Sequence, residues 1–175
     1  MPHPEGYRKA LRLIRLAEKF GMPVVTLIDT PGAYCGIGSE ERGISQAIGA
    51  NLLALSQVAT PVVCAVIGEG GSGGALAIGV GDEVLMLEHA VYSVITPEGN
   101  AMRMRARDLL KLNLIDEIVP EPIGGAHRDR EKAAANLSAA LLDALDRVRK
   151  LPTDACLKKR AAKLRNFGRY AETSY

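Results

Sequence analysis

The pattern of hydrophobic and polar residues begins with a helical period. In residues 6–20, apolar positions from Tyr7 to Ala17 fall on one face with charged residues opposite, which predicts an amphipathic helix. Gly21 suits the position just past the end of this helix. The following run at 24–28, VVTLI, is almost wholly apolar and of strand length, which is typical of a strand buried on both faces.

The succession of helix and strand continues along the chain. Ser39 is a candidate cap for a second helix over 39–57, with Glu40 and Glu41 favourably placed in its first turn. The later predicted elements are strands at 61–67, 83–88, 91–95 and 115–119, a short helix at 106–113, and a helical tail from about 128 to 166 that is broken at Leu151–Pro152. This alternation predicts an α/β fold around a parallel sheet.

Two glycine-containing loops are predicted where strands end, at 29–38 and at 68–74. Ligands in open α/β sheets bind at the carboxyl ends of strands. Glycines let the backbone approach a ligand closely, and a helix beginning near Ser72 would present unsatisfied N–H groups. Such a site favours an anion or a developing oxyanion.

The glycine segment GEGGSGG at 68–74 matches neither common phosphate-binding motif. It lacks the lysine and the serine or threonine of the phosphate-binding loop, and it does not fit the dinucleotide pattern GxGxxG. A purely structural interpretation also stays open, in which glycines allow a helix to pack tightly on the sheet; it applies to Gly73, Gly74, Gly79 and Gly81.

Composition narrows the classes of protein. The chain has 175 residues, about one domain, and a net charge of +2 whose basic excess lies in 103–107 and 158–169, as on solvated helix faces, so nucleic-acid binding is not favoured. Three widely spaced cysteines, Cys35, Cys64 and Cys156, indicate neither a disulfide framework nor a metal site. No signal pattern and no apolar run of membrane-spanning length is seen, which predicts a soluble, cytoplasmic protein.

Four long segments carry a resemblance to a known family: residues 4–43, 61–82 (PVVCAVIGEGGSGGALAIGVGD), 92–99 (YSVITPEG) and 112–129 (LNLIDEIVPEPIGGAHRD). They resemble the alpha subunits of bacterial acetyl-coenzyme A carboxylase carboxyltransferases. The resemblance implies a crotonase-like superhelix of ββα units over 1–127 and a helical C-terminal extension over 128–175. It also implies transfer of a carboxyl group from carboxybiotin to acetyl-CoA, giving malonyl-CoA.

The resemblance also implies partners. They are a homologous beta subunit in a two-alpha, two-beta complex, a biotin carboxyl carrier protein that bears the biotin cofactor, and biotin carboxylase. No metal is expected on this chain. The apolar helix 44–58 and the segment 91–119 are expected to form protein contacts.

Site residues follow from the same resemblance. Gly70 and Gly71 are expected to supply oxyanion amides, and Gly32 and Ala33 the second pair. The residues expected at the substrate are Gly73, Gly74, Glu69 and Tyr34.

Several residues keep two interpretations. For Glu69 a hydrogen-bonded structural role is preferred over contact with biotin, and for Asp29 capping of its own turn is preferred over catalysis. His127 and Arg128 fit a surface turn better than a coenzyme A phosphate site. Cys35 stands where the family pattern leads us to expect proline.

Two other classes of function stay open. Ser72 resembles the nucleophile of Clp-type proteases, which share the fold, but His3, His89 and His127 have no supporting context. A non-catalytic scaffold of the same fold is the third hypothesis.

The chain departs from the family pattern in two places. It opens at MPHPEGYRK, in what the resemblance makes the middle of the domain, and it passes from Asn100 directly to AMRMRARDLL where relatives are expected to carry a longer segment. We therefore expect a break in the backbone between Glu98 and Arg103.

Overall fold

The computed structural model of the chain describes residues 1–94 and 104–168. Its helices are α1 Pro4–Lys19, α2 Ile37–Glu41, α3 Ile44–Gln57, α4 Ser72–Leu76, α5 Ala106–Lys111, α6 Arg130–Arg149 and α7 Thr153–Arg165. Its strands are β1 Val24–Thr30, β2 Val62–Gly71, β3 Glu83–Leu87, β4 Val91–Ser93 and β5 Glu117–Val119. The backbone break expected between Glu98 and Arg103 lies outside the described residues.

The strands form one sheet in the order β1-β2-β3-β5, with β4 pairing to the end of β2. Every strand pair in it is parallel. The side chains of β2 from Val62 to Val66 are all buried, as the continuous apolar run predicted. The prediction of an α/β fold around a parallel sheet is confirmed.

The predicted helix over 39–57 is wrong as a single element. The chain forms α2 and α3 instead, separated by Gly43, which has a φ of +73°. This left-handed conformation interrupts the helical backbone, and glycine adopts it without steric cost. Ser39 accordingly does not cap a helix but lies buried inside α2.

The predicted loop at 68–74 is also wrong, since residues 68–71 belong to β2 and residues 72–74 begin α4; the predicted helix start near Ser72 is confirmed. β2 continues to Gly71, because Glu69–Gly71 pair with Val91–Ser93 of β4 and Gly70 also pairs with Thr30 of β1. These partners lie far away in the sequence, so the local composition alone favoured a loop.

The helical tail is confirmed, with its break at Leu151–Pro152 between α6 and α7. It packs on the sheet: Ala144 and Val148 of α6 belong to the same core cluster as Val62 to Val66 of β2. Arg147 of α6 forms ion pairs with Glu83 of β3 and Glu117 of β5.

The side chain of Arg160, on α7, is completely buried. It pairs with the Asp82 carboxylate at 2.7 Å and also donates to the carbonyl oxygens of Leu55, Val58 and Thr60, so all five guanidinium N–H groups have an acceptor. The Asp82 carboxylate also accepts a hydrogen bond from the Val62 N–H at the start of β2. Through this cluster α7 holds the end of α3 and the start of β2 together.

No helix in the described part of the chain is long and apolar enough to span a membrane.

Replacing Arg160 by alanine should lower the free energy of unfolding by about 3–5 kcal/mol, because the buried Asp82 carboxylate loses its counter-charge. Urea denaturation measures this loss. Lys159→Ala, on the exposed side of the same helix, is the matched control and should change stability by less than about 0.5 kcal/mol. Similar losses in the two variants would contradict the assignment.

The burial of two of the three thiols predicts their reactivity and their contribution to the pH dependence of stability. Burial raises the pKa of both Cys64 and Cys156 to about 11, with a hydrogen bond from Cys156 to Asp82 adding to the effect. In the native protein at pH 8 we expect a thiol reagent to modify only the exposed Cys35. The pKa of each buried thiol is higher in the folded state than in the unfolded state. The contribution of these thiols to the free energy of unfolding is therefore fully present below about pH 8.5 and is lost as pH rises towards 11. Rapid modification of all three thiols at pH 8 would be the contrary result.

Candidate functional site

The loop after β1 and the segment 71–74 meet at the carboxyl edge of the sheet. A Cβ atom added to Gly71 would overlap the Pro31 carbonyl, and one added to Gly74 would overlap the backbone of Gly32 and Ala33. The two backbones therefore touch, and glycine is required at both places. The structure thus brings together the two loops that the sequence singled out.

Buried hydroxyl groups fix both partners of this contact. The Thr30 hydroxyl donates to the Gly32 carbonyl oxygen at 2.8 Å and accepts from the Gly32 N–H at 3.3 Å. From α1, the Tyr7 hydroxyl donates to the Gly74 carbonyl oxygen at 3.1 Å. The site is consequently held by side chains from both sides.

The backbone of Gly70 and Gly71 lies inside paired strands. Gly70 is opposite Thr30 and Tyr92, and Gly71 is opposite Ser93. N–H groups of paired strands point along the sheet towards their neighbours. The amide-donor role of these two glycines stays a prediction, and the N–H groups of the first turn of α4, which have no partner within the helix, become additional candidates.

Ser72 begins α4 in a left-handed conformation, with φ +54°. For a residue with a side chain this costs roughly 1–2 kcal/mol, and it turns the chain sharply from strand to helix. Within the described part of the chain, no histidine forms a hydrogen bond with Ser72; His3 lies beside Ser39, and its ring is tilted by 44° against that of Tyr34. The hydrolase hypothesis therefore lacks its base here.

The acidic residues at this edge do not act as predicted. The Asp29 carboxylate accepts from the Glu69 N–H of the neighbouring strand at 3.0 Å, rather than capping its own turn. A Cβ at Gly68 would overlap that carboxylate, so this glycine makes room for Asp29. The Glu69 side chain is exposed and forms no hydrogen bond with a described residue, contrary to the structural role that was preferred.

The remaining sequence candidates lie on the surface. Tyr34 is 43% exposed and its ring centroid is 4.5 Å from that of His3. His127 and Arg128 lie in an exposed turn, as predicted.

A cavity of about 370 Å³ opens beside Ser72. Its walls are mainly apolar and come from α4, β4, α5 and α7; they include Leu76, Tyr92, Met104, Leu109, Leu112 and Phe167. Sequence analysis missed this cavity, because no local motif shows that α5 and α7 converge on α4.

The structural interpretation of Gly79 and Gly81 is supported. A Cβ at Gly79 would lie 2.7 Å from the Tyr92 hydroxyl, and one at Gly81 would lie 2.8 Å from the Cys64 sulfur. In residues 1–94 and 104–168, no group of three or more His, Cys, Asp or Glu side chains is placed to hold a metal ion.

Comparison with known families gives one match over almost the whole chain. The model of the family "Acetyl co-enzyme A carboxylase carboxyltransferase-like" matches residues 1–168.

Curated relatives agree with this match. The acetyl-coenzyme A carboxylase carboxyl transferase subunit alpha of Methylococcus capsulatus is 55% identical over 188 residues, covering 98% of this chain and 59% of the relative. The chain thus spans about three fifths of the length of the curated relatives it matches. Since the alignment runs over 188 residues and the chain has 175, the relative contains at least 13 residues that this chain lacks. The predicted position of the shortening, after Asn100, stays a prediction.

Solved structures show the fold. One chain in the structure of the Pseudomonas malonate decarboxylase MdcD-MdcE hetero-dimer superposes with a TM-score of 0.72 at 17% identity, covering 91% of this chain and 72% of that one. Enoyl-CoA hydratase from Bacillus halodurans gives 0.65 at 13% identity, covering 94% and 77%. The predicted crotonase-like fold is confirmed.

The backbone contact between the two loops predicts a graded series of glycine variants. Gly71→Ala should lower the free energy of unfolding by about 1–3 kcal/mol, because its methyl group would overlap Pro31. Gly73→Ala, which meets only ordinary contacts near 3.9 Å, should be tolerated. Gly49→Ala, in open space on α3, should stabilise by about 0.5–1 kcal/mol. Chemical denaturation tests the order, and equal effects at Gly71 and Gly73 would disprove the contact.

Proposed function

Because the chain belongs to the acetyl co-enzyme A carboxylase carboxyltransferase-like family, we propose that it forms one half of a site that transfers a carboxyl group between biotin and acetyl-CoA. The product of the forward reaction is malonyl-CoA, for fatty acid synthesis. The observation that carries the proposal is the direct backbone contact between Pro31–Ala33 and Gly71–Gly74, which assembles two sets of amides at one place.

The residues at this edge suit biotin, whose fused rings are apolar and whose ureido group is polar, since an apolar cavity opens beside the amides. Carboxybiotin on a carrier protein would supply the carboxyl group, with the methyl carbon of acetyl-CoA as its acceptor and the freed ring nitrogen as the acceptor of the methyl proton. The charge that develops on oxygen during this exchange needs neutral donors that are already oriented.

The amides of this chain provide such donors. We assign the role of oxyanion donor to the N–H groups of Gly70 and Gly71 and, on the opposing loop, to those of Gly32 and Ala33. Gly73 and Gly74 lie at the start of α4, which supports Gly70 and Gly71. Removing one preorganised donor typically lowers a rate by about 10²–10³. Glu69 and Tyr34, both exposed, are assigned to substrate binding.

The partners follow from this half-site. We propose a homologous beta subunit in a two-alpha, two-beta complex, with the biotin carboxyl carrier protein and biotin carboxylase as further partners. Exposed apolar side chains such as Ile37 (81% exposed) and Leu53 of α3 (59% exposed) support a protein interface. We place the protein in the cytoplasm, where its three free cysteines stay reduced.

A second candidate is an inactive fragment or scaffold of the same fold. The two candidates differ in whether catalysis appears when the beta subunit is added.

An exchange assay tests the proposed function. The chain, alone and combined with a beta subunit, is incubated with malonyl-CoA and free biotin, and formation of acetyl-CoA is followed. We expect turnover only in the combined sample. Binding of the beta subunit without turnover would establish the scaffold instead.

A further inference from the structure

Tyr92 is a polar residue of the cavity to which the proposed function gives no role. It lies on β4 opposite Gly70. Its ring passes 2.8 Å from the place where a Cβ of Gly70 would lie, and its hydroxyl passes 2.7 Å from the corresponding place at Gly79. Because Gly70 and Gly79 have no side chains, the ring of Tyr92 fits closely against both, and this packing fixes its orientation.

The Tyr92 hydroxyl forms no hydrogen bond within residues 1–94 and 104–168, and the residue lines the cavity together with Ser72. The other tyrosine at this site behaves differently, since the Tyr7 hydroxyl donates to the Gly74 carbonyl oxygen at 3.1 Å. Tyrosine hydroxyls that are removed from water usually find a partner. Since Tyr92 lines the cavity, its hydroxyl is a hydrogen-bond donor available to a ligand there.

The protonation state suits donation. Burial, with a smaller contribution from Cys64, raises the pKa of Tyr92 to about 12. The phenol is consequently neutral at physiological pH and carries its proton. It is suited to donate a hydrogen bond and unsuited to act as a base.

The surroundings define the ligand. The cavity of about 370 Å³ has the size of a small-molecule site and is mainly apolar. Lys163 also lines the cavity, but its ammonium group already donates hydrogen bonds to the Asp116 carboxylate and to the Asp82 carbonyl oxygen. The space suits an apolar group that ends in a neutral hydrogen-bond acceptor.

We propose that Tyr92 is a specificity-determining residue whose hydroxyl donates a hydrogen bond to a carbonyl oxygen of the substrate, while the apolar part of that substrate occupies the cavity. This inference rests on the proposed function. The acceptor belongs to one chemical class with two sources, the ureido carbonyl of biotin and the thioester carbonyl of a coenzyme A substrate.

The test compares Tyr92→Phe with the wild type in the complex with the beta subunit. Affinity is measured for free biotin by saturation-transfer NMR and for malonyl-CoA by calorimetry. The variant should bind one of the two ligands about tenfold more weakly, as expected when one hydrogen bond is lost. The ligand whose affinity falls identifies the source of the carbonyl, and its KM in the exchange assay should rise with it.

Thermal unfolding separates a binding role from a structural one. Tyr92→Phe should leave the midpoint unchanged, because the hydroxyl has no partner among the described residues. Tyr7→Phe, which removes the bond to Gly74, should lower it. A drop in the midpoint for Tyr92→Phe comparable with that of Tyr7→Phe would overturn the proposal.

The exchange activity of the wild-type complex distinguishes a failure of the role proposed for Tyr92 from a failure of the proposed function. Active wild type with equal affinities in the Tyr92→Phe variant overturns the role of Tyr92 alone. Wild type that binds neither ligand and shows no exchange overturns both this role and the proposed function.

Discussion

The contact between the Pro31–Ala33 backbone and the Gly71–Gly74 backbone constrains everything around it. No side chain fits between the two segments, so their separation is set by main-chain atoms alone. Main-chain atoms have no rotamers, and their positions follow from the strands that lead into them. The parallel pairing of β1 with β2 therefore sets the geometry of the site. The hydrogen bonds of the Tyr7 and Thr30 hydroxyls only stabilise this geometry.

The arrangement of elements was largely predictable, because the signals are local. Apolar runs marked β1, β2 and β3, and Pro152 marked the break between the last two helices. Gly43 and Gly68–Gly71 were misjudged for one reason: a glycine permits both a break and a strand, and its neighbours in space decide which occurs. At Gly43 the chain turns, whereas at Gly70 strands on both sides keep it extended.

The site was predictable only where its chemistry resides in the backbone. A cluster of glycines after a buried strand is visible in any sequence, so Gly32, Gly71 and Gly74 were found. Tyr92 and the apolar walls from α5 and α7 were not, since they reach the site through tertiary packing. Arg160 was hidden as well, because a single arginine in a basic helix resembles its solvated neighbours until the fold places Asp82 beside it.

The distance in sequence between Asp82 and Arg160, 78 residues, has a consequence for biosynthesis. At ~5–20 residues per second, a ribosome needs roughly 4 to 16 seconds to add the arginine after the aspartate. During that interval the carboxylate stays in water, and the first strands cannot close over it without burying an unpaired charge. The nascent chain therefore waits for α7 before it completes its core.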